Sequence, residues 1–136
     1  MICRRTTYRG GLWKPVNVEP DFHEQLPLSE PVMYILVCLA PGPKYGYAML
    51  KEIDELSRGR VRLSTGTLYG AIKRLLADGW IQPAGMVDPD KDGRARKAYA
   101  LTPRGWKMLA AETSRLDELA RVARLCLEKD AGHGRD

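Results

Sequence analysis

Residues 64–82 constrain the fold of this 136-residue chain most, because they specify a short helix together with both of its ends. Ser64 suits an N-cap, since its hydroxyl can accept from the free amides of the first turn. Leu68, Ile72, Leu75 and Leu76 recur at helical spacing as one apolar stripe. Gly79 stands where a left-handed residue stops a helix, and Trp80-Ile81 begins an extended segment. The opposite face carries Thr65, Thr67, Tyr69, Lys73 and Arg74, hydroxyls first and cations later. Such a face can donate to phosphates and base edges in a DNA major groove. An ordinary amphipathic helix with a polar outside has the same pattern, so the neighbouring segments must decide.

Charge favours the first reading. The net +5 is unevenly placed: residues 58–104 hold ten Lys or Arg against four Asp or Glu, whereas the segments before and after are close to balance. A basic excess concentrated around one helix is the footprint of a polyanion binder. Cys3, Cys38 and Cys126 are odd in number and far apart, which argues against a disulfide framework or a cysteine zinc site and for a reducing compartment. The apolar run from Val32 to Ala40 is too short for a bilayer, and no secretory signal follows Arg4-Arg5, so a cytoplasmic location and no membrane contact are expected.

The rest of the chain supplies a frame for that helix. Residues 1–26 lack periodicity and are expected to form a flexible arm. Ser29 and Pro31 begin a first helix that Pro41-Gly42-Pro43 ends. A second helix is expected from Gly46 to Ser57, with Leu50, Ile53 and Leu56 inward. Val61-Arg62-Leu63 is expected as a single edge strand. Trp80–Ala84 and Arg96–Leu101 flank the turn-rich residues 88–93, which makes a β-hairpin whose tip is decorated by Lys91, Arg94, Arg96 and Lys97. Thr102-Pro103 starts a long last helix. The expected fold is mainly α with a small β-hairpin wing: a winged helix-turn-helix over residues 27–102, a C-terminal dimerisation helix over 103–130 and a disordered tail over 131–136.

Metal binding and catalysis find little support in the sequence. Asp88, Asp90, Asp92 and Gly93 match the opening of a calcium loop, but its twelfth position is Tyr99 rather than Glu and its flanks are strands. His23 and His133 fall in the unstructured ends, and no phosphate loop, nucleophile elbow or metal motif is present, so neither an enzyme nor a cofactor is expected. On the last helix Leu109, Leu116, Leu119, Val122, Ala123 and Cys126 form a partial heptad interrupted by Glu112. A helix longer than its domain can cover needs a second chain, and a homodimer meets that need while doubling the reading helices.

Tyr45-Gly46-Tyr47, Ser64 to Tyr69, Arg74-Leu75-Leu76, Asp78 to Ile81 and Arg96 to Gly105 together resemble the PadR family of bacterial transcriptional regulators, over roughly Leu28 to Glu128. The resemblance implies a dimeric winged-helix repressor on double-stranded DNA. It also implies a small aromatic or hydrophobic effector near the dimer interface, and adds Tyr47 to the DNA-binding set. Gly70 stands where many relatives have Pro, and Leu116 where drug-sensing relatives often carry Trp. Two other readings compete with the repressor: a winged helix that docks an acidic protein partner, and a chain whose main role is ligand capture.

Overall fold

A computed structural model of the chain describes residues 25–87 and 96–132. The expected arm up to residue 24, the hairpin tip with Lys91 and Arg94, and residues 133–136 lie outside the described residues. Helix α1 (Glu30–Leu39) is capped by Ser29, whose hydroxyl accepts from Val32 N, and carries Pro31 in its first turn. Its buried residues are Ile35, Leu36, Cys38 and Leu39, which explains why it is apolar on more than one side. Lys44 Nζ donates to the Cys38 carbonyl at 2.7 Å, satisfying one acceptor that the helix end leaves open. Burial pushes the Cys38 thiol up to about 11, so this cysteine is an inert core group.

Strand β1 (Lys44–Tyr45), α2 (Gly46–Leu56), α3 (Thr65–Ala77), β2 (Ile81–Val87), β3 (Arg96–Leu101) and α4 (Pro103–Gly132) follow. The three strands form an antiparallel sheet in the order β1-β3-β2, with Tyr45 opposite Ala98 and Ile81 opposite Leu101. Pro83 is accommodated because β2 is an edge strand. One core cluster joins α1, α2 and α3 to Trp80, Ile81, Tyr99, Leu101 and Met108. The chain is thus a winged helix-turn-helix, as expected.

Two expectations about its interior need correction. Val61-Arg62-Leu63 is not a strand: Val61 N and O both bond to Ser57 Oγ, at 2.9 and 3.3 Å, so this backbone is satisfied by the loop itself. The third strand comes instead from Lys44-Tyr45. On α2 Gly46, Met49 and Ile53 are buried and Leu50 packs half-buried on the core, so of the three residues expected inward only Leu56, 47% exposed, is misplaced. Ser57, just beyond the helix, is buried and continues that stripe at a spacing of four.

The junction before α4 is tightly tied. Thr102 Oγ1 donates to the Gly79 carbonyl at 2.6 Å and accepts from Gly105 N at 3.0 Å, and Thr102 N donates to the Trp80 carbonyl. Gly79, at φ +78°, ends α3 in the left-handed conformation expected of it. Helix α4 then divides in two. Met108 and Glu112 are buried, and Leu109 packs half-buried on the chain's own core. From Leu116 to Lys129 every side chain except Ala120 is exposed.

Glu112 does not merely interrupt an apolar stripe. Its carboxylate accepts from Arg115 Nε at 2.6 Å and Nη2 at 2.9 Å, and from the backbone N–H of Leu28 at 3.0 Å. It therefore ties α4 to the segment leading into α1, where Leu28 packs on the core, and so does Leu26, the last residue of the expected arm. The Arg115 guanidinium holds the Glu112 carboxyl below its ordinary value of 4.5, aided by the Leu28 amide and opposed by burial. This stabilisation is complete above that ordinary value and is lost as pH falls through the lower folded-state value. Glu112→Gln should accordingly flatten the acid limb of a melting-temperature profile below about pH 4.5. A mutant profile that drops as steeply as the wild type would show that another carboxylate controls acid unfolding.

Candidate nucleic-acid interface

Helix α3 opens with a closed pair of hydroxyls. Ser64 Oγ accepts from Thr67 N at 3.1 Å and donates to Thr67 Oγ1 at 2.9 Å. Ser64 is thereby committed to capping, while the Thr67 hydroxyl accepts and keeps its own hydrogen to donate outward. Leu68, Ile72 and Leu75 are buried, and Thr65, Thr67, Tyr69 and Lys73 are exposed. Gly66 and Gly70, one turn apart on this exposed side, have open space where a Cβ would stand. Nothing in the chain's own packing calls for glycine there, and each costs roughly 1 kcal/mol of helix stability relative to Ala. The helix thus presents a bare backbone strip flanked by hydroxyls and a cation.

Tyr69, 44% exposed, joins this helix to the start of α2. Its ring and hydroxyl lie so close to Gly46 that a Cβ there would overlap the Tyr69 hydroxyl. The neighbouring Tyr47 is 64% exposed. On the other side of Gly46, the Arg96 guanidinium lies 5.8 Å from the centre of the Tyr45 ring, an arrangement that orients a cation. Tyr45-Gly46-Tyr47 therefore connects the start of β3 with the exposed face of α3. In the sequence these residues mark a family resemblance, the start of a helix at Gly46 and a DNA-binding position at Tyr47. Their packing role had no local signal, because it depends on a tyrosine more than twenty positions away.

Tyr69 packs on Gly46, next in sequence to the exposed Tyr47, and Arg96 lies over Tyr45, while Ser64, Thr65, Thr67 and Lys73 are exposed along α3 and Lys97 is exposed on β3. Lys91 and Arg94 fall outside the described residues. The charge excess is smaller than a segment count suggests. Arg60 pairs with Glu30 at 2.5 Å and Arg62 with Asp54 at 3.3 Å, so acids from α1 and α2 offset two cations of the loop before α3. Lys73 and Lys97 have no ion pair among the described residues. Leu116, Leu119, Val122, Ala123 and Cys126 all lie on the exposed half of α4, apart from this surface, and Leu109 lies on the half that serves the chain's own core. Among the described residues no cluster of His, Cys, Asp or Glu could hold a metal, and no helix is long and apolar enough to cross a membrane.

Comparison with known proteins agrees with this geometry. The model of the transcriptional regulator PadR-like family matches residues 35–111. The transcriptional regulator Rv3488 of Mycobacterium tuberculosis is 42% identical over 81 residues, which span 60% of this chain and 73% of that protein. The crystal structure of a PadR family transcription regulator from Clostridium difficile superimposes with a TM-score of 0.62 at 26% identity, over 73% of this chain and 99% of that one. Bacillus subtilis PadR, solved in complex with operator DNA, shares the fold at a TM-score of 0.53 and 22% identity, over 62% of this chain and 47% of that one.

Proposed function

Because the chain belongs to the PadR-like family of transcriptional regulators, we propose that it is a cytoplasmic, sequence-specific DNA-binding repressor, acting as a homodimer on an inverted repeat and released by a small apolar effector. The observation that carries the DNA reading is the reading face of α3. Hydroxyls, a bare glycine strip and Lys73 occupy its exposed side, and Tyr69 and Tyr45 connect it to the cations of β3. In this division of labour Thr65, Thr67 and Tyr69 read base edges, while Lys73, Arg96 and Lys97, with Lys91 and Arg94, neutralise phosphates. That a protein of the same fold was solved in complex with operator DNA supports the DNA-binding reading. The apolar residues left exposed on α4 support the homodimer.

A gel-shift titration against the DNA flanking its own gene tests the proposal. Specific DNA should be bound at least about a thousandfold more tightly than random DNA. Gly70→Ala probes the reading face in a way that separates fold from function. It should stabilise the helix by up to about 1 kcal/mol yet weaken operator binding about fivefold or more, since the added methyl holds the backbone away from the groove. Full operator affinity in this variant would refute the close approach. Equal binding of all DNA, with retained binding to an acidic protein, would favour the protein-docking alternative.

A further inference from the structure

The exposed side of α3 lacks the side chains that read most bases. Over its first two turns the exposed residues are Thr65, Gly66, Thr67, Tyr69 and Gly70, and Lys73 is the first that could pair with a guanine edge. No Asn, Gln, Asp or Glu stands on the helix, so the usual partners of adenine and of the cytosine amino group are missing as well. The Tyr69 hydroxyl lies against Gly46, which leaves the two threonines at the front of the helix. Thr67 is the one whose side chain is fixed. Its hydroxyl oxygen accepts from Ser64 Oγ, which sets the rotamer and with it the position of the methyl group. An exposed helical threonine can spend its hydrogen on its own helix, as Thr113 does on the Leu109 carbonyl at 2.7 Å. Thr67 makes no such bond among the described residues, so it offers a donor and a methyl group together. Gly66 and Gly70 adjoin it on the helix surface, and the open space at both Cβ positions leaves room for a methyl group from outside.

In the major groove thymine presents an acceptor, O4, next to its 5-methyl group. We propose that Thr67 sets specificity by recognising a thymine, its hydroxyl donating to O4 and its methyl packing on the 5-methyl group beside Gly66 and Gly70. Thymine recognition at Thr67 rests on the DNA-binding reading above and names the base that reading left open.

The test uses the full chain and the DNA flanking its own gene, synthesised once with thymine and once with uracil at every thymine position. Uracil keeps O4 and the base pairing of thymine and lacks only the methyl group. In gel-shift titrations the wild type should bind the thymine DNA about fourfold more tightly for each half-site engaged, the worth of one buried methyl group. Thr67→Ser, which keeps the hydroxyl and its bond to Ser64 but not the methyl, should bind the two DNAs alike. Thr67→Val, which keeps a methyl and loses the hydroxyl, should bind both more weakly and still prefer thymine. Equal binding of the two DNAs by the wild type would overturn thymine recognition while leaving DNA binding intact. A preference that survives in Thr67→Ser would also overturn it, by assigning the effect to DNA shape. A wild type that distinguishes neither DNA from random sequence would refute the sequence-specific reading, and thymine recognition with it.

Discussion

Leu119→Arg is expected to shift the protein from dimer towards monomer in sedimentation and to cut binding to a two-half-site operator by about a hundredfold or more. The second figure is the avidity lost when two linked sites become independent. Leu119 is 56% exposed in the single chain, so the substitution leaves the domain itself untouched. In a dimer packed through Leu116, Leu119 and Val122, the guanidinium would be buried against an apolar partner, at a cost of several kcal/mol unless it is paired. Binding to an isolated half-site should hardly change. The reading helices of the dimer should stand about 34 Å apart, one turn of duplex, which is why the preferred site should be an inverted repeat. A wild-type protein that is monomeric at micromolar concentration would remove the basis of this expectation.

Gly105→Ala should have the largest effect on folding. A Cβ at this position would overlap the Trp80 carbonyl oxygen, a backbone atom that cannot rotate aside. That same oxygen already accepts from Thr102 N, so relief must come from moving the start of α4 away from the end of α3. Overpacking against backbone of this kind costs about 3 kcal/mol or more, or a fall of at least about 12 °C in melting temperature for a domain of this size. A melting temperature within a few degrees of wild type would mean that the junction is looser than its hydrogen bonds indicate.

Much of the architecture was legible because its signals are local. Ser64, the leucine spacing and Gly79 define α3 within sixteen residues, and Thr102-Pro103 marks the start of α4. Errors arose where a polar side chain occupies an apolar position. Ser57 continues the buried stripe of Met49 and Ile53, and once it is counted as polar the stripe rotates towards Leu56. Its hydroxyl also consumes the backbone bonds of Val61 that a strand would have needed. Glu112 misled for a related reason. Its partners are Arg115, one turn away, and a backbone amide 84 positions earlier, which no periodicity can reveal. The candidate interface was legible along α3 and obscure at Gly46, whose neighbour Tyr69 arrives only through folding. The two-residue β1 is too short to show alternation at all.

The divided character of α4 bears on how long a protomer survives. Its first turns are anchored by Met108, Glu112 and the Thr102 junction, but from Leu116 to Lys129 every side chain except Ala120 is exposed among the described residues. A helical stretch of that length is marginal by itself in water, and the Glu118–Arg121 pair at its surface adds little. A lone protomer therefore offers proteases an apolar segment that frays repeatedly, whereas a protomer whose leucines are covered does not. Assembly would then govern turnover as well as binding, clearing surplus single chains and sparing the paired ones.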